Sequence, residues 1–207
     1  MSMPAEADVA RKMAEPLDRQ HAPEIHACGC SALLTRIPTI DDVLNEHATE
    51  LRDDFSGYRN HVYRVVNLCV ALVGRSQLEK IAVAAAFHDL GIWTNRTFDY
   101  IEPSIALAHD YLVARARESW IADIEEMIAD HHKITRATAA PDSLVEAFRR
   151  ADWIDVTRGL RRFGISRPFV AHLFATWPSA GFHWRLVTLT LDRFRGHPLT
   201  PLPMFKL

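Results

Sequence analysis

The middle of the chain carries a series of imidazoles and carboxylates, each set on a different expected helix: His61, His88-Asp89, His109, His131-His132 and Asp152. Eleven histidines in 207 residues is about twice the usual frequency, and five of them fall between 61 and 132. Imidazole nitrogens and carboxylate oxygens suit iron, manganese, zinc or cobalt, and a set with no thiolate is unlike a structural zinc knuckle. An Asp directly after a ligating His has two oxygens and could bridge two ions. The chemistry to look for is therefore that of a divalent metal centre.

Helical phase decides which way these side chains point, because residues three and four apart share a face. His61 lies in line with Tyr58, Val65 and Leu68, and His88 with Ile81, Ala84 and Ala85. His109 lines up with Ile105, Leu112 and Val113, and Asp152 with Val145, Phe148 and Val156. All four are expected to point inward. His131 follows Ile124, Met127 and Ile128, while His132 follows Glu125 and Ala129, so His131 is expected inward and His132 supporting or solvent-facing. An inward Asp and four inward His without partners would each cost several kcal/mol in desolvation, and a shared metal removes that cost. Any one of them could instead be a hydrogen-bonded core residue, and His109-Asp110 shows that a His-Asp pair also arises by chance; the set as a whole points to metal.

The elements that must position these groups read as all-α. No period-2 run stands out, whereas several windows repeat apolar residues at i, i+3, i+4 and i+7. Helices are expected over 39–53 behind a capping box at Thr39, over 56–73 with Gly74 as the stop, and over the Ala-rich 77–90. Others are expected over 103–118, 119–132, 141–158, 166–177 and 181–195. Residues 1–38 read as a loosely attached arm with one helix near 5–20, 39–165 as the helical domain, and 166–207 as a C-terminal helical extension ending in a tail with Pro198, Pro201 and Pro203. Phe169, Phe174, Trp177, Phe182, Trp184 and Phe194 recur at near-helical spacing, as core or a homodimer interface rather than a base-stacking box.

Composition narrows the function. The chain is 48% hydrophobic and 24% charged, with 24 Lys+Arg against 26 Asp+Glu and a mean hydropathy of -0.08. At that size it buries a core without metal staples, so a metal here would serve function. A net charge of -2 gives no footprint for duplex nucleic acid or an anionic membrane. The longest uncharged stretches, such as Val65 to Gly74, are far too short to span a bilayer, and the start MSMPAEADVARK has no apolar signal core, so a cytoplasmic protein is expected. Cys28, Cys30 and Cys69 are an odd number and read as reduced thiols, with a redox pair at 28 and 30 as the alternative.

Three stretches carry a family resemblance: Tyr58-Arg59-Asn60-His61-Val62-Tyr63-Arg64-Val65, Ala85-Ala86-Phe87-His88-Asp89-Leu90-Gly91 and Arg150-Ala151-Asp152-Trp153-Ile154-Asp155. They resemble the opening His helix, the His-Asp signature and the closing Ala-Asp of the HD superfamily of metal-dependent phosphohydrolases, over about half the chain. The resemblance implies an HD-domain helical bundle with His61, His88, Asp89 and Asp152 at one metal. His109 and His131 are similar to the extra ligands of two-metal members, in which the residue equivalent to Asp89 bridges both ions. Iron or manganese is then expected, with zinc, cobalt or nickel as other choices. A register starting at His88, with His109-Asp110 as the signature, leaves His61 unexplained and puts Tyr111 where a small residue is usual.

The activity so implied is hydrolysis of a small phosphoester or nucleotide by a metal-activated hydroxide, with Asp89 at the centre of the chemistry. Arg64, Lys133, Arg136 and Arg149 lie near the ligands and are candidates to hold phosphate, Lys133 and Arg64 foremost; each could equally be a solvated surface charge. The residues after His131 lack the Gly-Tyr-Pro of the cyclic-di-GMP enzymes, and only 21 positions separate His131 from Asp152, which favours a small substrate. The longer ligand pattern is shared with mixed-valence diiron oxygenases, the rival enzyme class, and a non-catalytic nucleotide-sensing module is the third reading.

Overall fold

Helical periodicity translates directly into structure. The computed structural model describes residues 32–97, 99–137, 140 and 143–196, and among these it contains helices and turns but no strand. In chain order the helices are α1 (Pro38–Glu46), α2 (Ala48–Leu51), α3 (Phe55–Val73), α4 (Leu78–Phe87), α5 (Gly91–Thr94), α6 (Ile101–Ala114), α7 (Ile121–Asp130), α8 (Leu144–Val156), α9 (Arg167–Thr176) and α10 (Phe182–Gly196). None is long and apolar enough to cross a membrane. The helix expected near 5–20, Cys28, Cys30 and the prolines of the tail lie outside the described residues.

The bundle is built around α3, whose residues from His61 to Cys69 are all buried. A helix covered on every side needs partners all round. α8 lies along one flank, α4 along another, and α1 closes over both α3 and α4. The run Ile-Ala-Val-Ala-Ala-Ala-Phe from Ile81 to Phe87 is entirely buried; its small side chains let α4 approach α1, α3, α6 and α7 together. α6 and α7 pair with each other, and α7 also reaches α8.

Local chemistry sets the boundaries and shifts several of them. α1 begins at Pro38, whose fixed φ suits a first helical position, and the Thr39 hydroxyl bonds Glu79 instead of capping. α8 begins after Ser143, which accepts the Glu146 N–H; Pro141, expected to open it, lies outside the described residues. Ser119 sits in a 3-10 turn ahead of α7. Residues 32–37 are fastened rather than loose: Asn67 exchanges two hydrogen bonds with the Leu34 backbone, and the Tyr63 hydroxyl accepts the Ile37 N–H while donating to Asp41.

After α7 the chain turns sharply, and that turn is held from α8. Arg149 and the indole of Trp153 both donate to the Lys133 carbonyl. Arg149 in turn makes a two-pronged buried pair with Glu146, which Arg150 also contacts. Burial alone would raise the Glu146 pKa, but Arg149, the Ala137 N–H and Arg150 bring it down to about 2. Arg149 is therefore structural, and its candidacy for holding phosphate is corrected: the residue is 3% exposed, and its guanidinium donates to Glu146 and to the Lys133 carbonyl.

Removing one partner of a buried pair strands the other charge. Arg149→Ala is expected to cost about 3 kcal/mol in urea unfolding at neutral pH. A loss within the error of the measurement would contradict this role. Because the Glu146 pKa is depressed, its share of stability is present above the ordinary carboxylate range and is lost as pH falls through about 2.

Candidate metal centre

Four elements deliver the donors to one point. His61 projects from α3, His88 caps the end of α4 with Asp89 just beyond it, His131 caps the end of α7 with His132 following, and Asp152 comes from α8. All six are buried, and His61, His88, His131 and Asp152 have no exposed surface at all.

The Nε2 atoms of His61 and His88 lie 2.9 Å apart. His61 Nε2 is 3.6 Å from an oxygen of Asp89 and 3.6 Å from one of Asp152, and His88 Nε2 is 3.4 and 3.8 Å from the same two oxygens. Donors about 2.1 Å from a common ion stand about 3.0 Å apart at right angles and about 3.4 Å apart in a tetrahedron, so these separations are those of ligands around one cation. The outer oxygen of Asp89 faces His131 Nε2 at 3.3 Å, and that of Asp152 faces His132 Nδ1 at 3.4 Å. Two carboxylates thus each present one oxygen to the His61-His88 pair and the other to the His131-His132 pair.

Hydrogen bonds fix which nitrogen of each ring is bare. His61 Nδ1–H donates to Asp155 at 2.6 Å, His88 Nδ1–H to the Ala85 carbonyl at 2.8 Å, and His131 Nδ1–H to the Ile128 carbonyl at 2.6 Å. In all three it is Nε2 that faces the centre, which is the arrangement metal-ligating histidines adopt. The Tyr100 hydroxyl lies 2.7 Å from His132 Nε2, so that ring turns Nδ1 inward, toward Asp152. Asp89 Oδ1, His131 Nε2 and both oxygens of Asp152 are buried without a hydrogen-bond partner. Buried polar atoms left this way are costly, and one cation satisfies several together. The residues present therefore fit a divalent ion.

Charge interactions shape the titration. Burial favours neutral His61, but the adjacent Asp155 and Asp89 outweigh it and raise the imidazole to about 9. Burial, reinforced by the neighbouring imidazoles, drives His88 down to about 3. Asp152 is pushed up to about 7 by burial, even with His131 and His61 beside it. Asp155 is lowered despite its burial because Arg64 and His61 face it.

Two expectations about the ligand set are corrected. His109 is exposed and pairs with Glu125 at 2.9 Å. The buried face of α6 runs through Ser104, Ala108 and Leu112, one residue out of phase with the stripe drawn through Ile105, so Val113 is exposed as well. His132, expected outside, is 9% exposed and faces Asp152. α7 ends at Asp130, so helical phase no longer governs the turn that follows. Arg64 is likewise corrected as a phosphate-holding candidate: it is fully buried and paired with Asp155. Lys133 keeps its place beside His132, 24% exposed and 3.7 Å from Asp130, and Arg136 is exposed. Asp155 was missed, although its i+3 spacing from Asp152 puts both carboxylates on one face of α8. Tyr100 carried no local signal.

One further contact explains a glycine. A Cβ on Gly91 would lie 2.6 Å from the Tyr100 carbonyl, so only glycine after His88-Asp89-Leu90 lets Tyr100 close over the histidines. A groove of about 810 Å³ between α2, α5 and α10, lined by Arg52, Asp54, Trp93, Arg96 and Arg185 among others, contains none of the metal-facing residues.

Two outcomes follow. His109→Ala is expected to bind divalent metal like the parent, and His132→Ala to lose about one ion per chain as His131→Ala does; elemental analysis after desalting reads both, and metal loss in His109→Ala would contradict the geometry. Because His61 is protonated below about 9, an incoming cation must displace that proton. Affinity should therefore rise with pH between 6 and 9, with more than one proton released per ion at pH 7, one from His61 and part of one from Asp152. Calorimetry in buffers of different ionisation heat measures the release, and a heat independent of buffer would contradict it.

Among known families, residues 58–157 match the HD domain. No curated protein and no solved structure shows a significant match to the chain. The matched segment opens at Tyr58, three residues before His61, and closes at Thr157, two after Asp155, so it spans every residue of the centre just described. Its members are mostly metal-dependent phosphohydrolases, and the buried His and Asp groups could hold such a metal. The chain carries an HD domain over residues 58–157, set in an all-helical bundle.

Proposed function

We propose that this protein is a metal-dependent phosphohydrolase acting on a small phosphoester or nucleotide. The observation that carries the reading is the convergence of His61 and His88 Nε2 on the inner oxygens of Asp89 and Asp152, inside an HD domain. A divalent ion held there supplies Lewis acidity to a phosphoryl oxygen and acidifies a water near neutral pH.

The chain's own residues do the rest. His61, His88, Asp89 and Asp152 would hold one ion and His131 and His132, with the same two carboxylates, would hold a second, so this reading takes two ions. Iron or manganese suits the mixed nitrogen and oxygen donors, with zinc, cobalt and nickel compatible. Lys133 and Arg136 stand beyond His132 and supply positive charge for the remaining phosphate oxygens. The short segment between His131 and Asp152 favours a small substrate.

The test is phosphate release from p-nitrophenyl phosphate and its bis ester by manganese- or iron-loaded protein. Asp89→Ala is expected to abolish turnover, and Lys133→Ala to lower kcat/KM roughly tenfold, the worth of one charge-assisted hydrogen bond. Oxygen uptake with a diol and no phosphate release from either ester would overturn the reading in favour of oxygenation. Normal turnover by Asp89→Ala would overturn it outright.

A further inference from the structure

Arg64 is the largest fully buried side chain among the described residues, and its contacts run in two directions. One prong pairs with Asp155, the carboxylate that holds His61 Nδ1. The other donates to the Trp177 carbonyl at 2.9 Å and the Pro178 carbonyl at 3.2 Å, in the loop between α9 and α10. That loop lies beyond residue 157, outside the matched domain.

Several further contacts meet at the same place. The ring of Phe182, first residue of α10, stacks on the His61 imidazole with centroids 4.1 Å apart and planes 15° from parallel. His183 Nε2 donates to the Asp155 carbonyl at 3.0 Å, and Asn60 to the Pro178 carbonyl at 2.8 Å. Trp177 stacks on Tyr63 at 4.3 Å. A Cβ on Gly57 would stand 2.8 Å from the Ala180 carbonyl, so a bare backbone one turn before His61 is what admits the loop.

Taken separately, these are packing contacts. Together they surround His61: Asp155 pins the ring nitrogen, Phe182 covers one face, and Arg64 ties Asp155 to the covering loop. Rotation of the imidazole out of its metal-facing orientation must displace Phe182 or break the Asp155 bond. We propose that the segment Trp177–His183, outside the HD domain, is part of the metal centre, with Phe182, Asp155 and Arg64 as positioning residues that hold His61 in its ligating orientation. The inference rests on the metal reading above. It assigns a function to the C-terminal extension that the domain match does not cover.

The experiment titrates Co2+ into the full chain and follows its visible absorption alongside the melting of the metal-free protein. Phe182→Leu keeps bulk but removes the flat face, Asp155→Asn keeps shape but removes the charge, and Phe182→Tyr keeps the ring. Phe182→Leu and Asp155→Asn are expected to weaken Co2+ binding about 10- to 100-fold and to change the spectrum, as losing outer partners of metal ligands does. Phe182→Tyr should restore both readouts, and Trp184→Ala, on the same helix but 71% exposed, should alter neither. If Asp155→Asn does not fold, Phe182→Leu decides. Folded Phe182→Leu with parental affinity and spectrum, whatever its melting temperature, would overturn the proposal and leave the extension as packing alone. Parent protein that binds no Co2+ would instead overturn the metal reading beneath it.

Discussion

Everything in this fold is subordinate to one constraint: four imidazoles and two carboxylates are driven to a single buried point with little to neutralise them but one another. Asp89 Oδ1 and both oxygens of Asp152 are buried without a hydrogen-bond partner among the described residues, which is costly for a carboxylate. The Nε2 atoms of His61 and His88, 2.9 Å apart, accommodate each other only with a proton or another cation between them. The two rings titrate apart: Asp155 and Asp89 outweigh burial and raise His61, while burial, reinforced by the neighbouring imidazoles, lowers His88. Such a site is strained as a core and natural as a cation cage.

Holding the cage open falls to the helices around it. α3 supplies a ligand from a helix buried on all sides, which fixes His61 but demands partners for every other polar group nearby. Arg64, one turn on, answers with Asp155, and Asn67 with the Leu34 backbone. α4 is narrow enough for His88 and Asp89 to reach the axis between α3 and α7. The turn after α7 keeps the Lys133 N–H bond to the Asp130 carbonyl, and the Glu146-Arg149 pair fastens it to α8 through the Lys133 carbonyl. A substitution far from the donors can therefore act on the centre through any of these ties.

How much of this was legible in the sequence depended on whether helical phase ruled the residue in question. His61 and Asp152 sit in the middle of long helices among apolar neighbours, and their inward direction follows from spacing alone. His88-Asp89 was legible because the Ala-rich run before it is buried throughout. On α6, apolar residues occur at 105, 107, 112 and 113, so two faces compete and the wrong one was favoured for His109. Beyond a helix end the rule fails altogether, as His132 shows. Arg64 and Arg149 read as spare charge because a sequence displays a guanidinium but not the carboxylate that folds against it. Phe182 meets His61 across 121 positions of chain, and no local pattern predicts such a contact.

The central claim is that these donors bind a divalent ion, and anomalous diffraction from crystals grown with Mn2+ tests it most directly. The account predicts a peak about 2.0–2.3 Å from His61 Nε2, His88 Nε2, one oxygen of Asp89 and one of Asp152. Crystals that take up manganese only at surface carboxylates, with the two Nε2 atoms still facing each other across a shared proton, would contradict it.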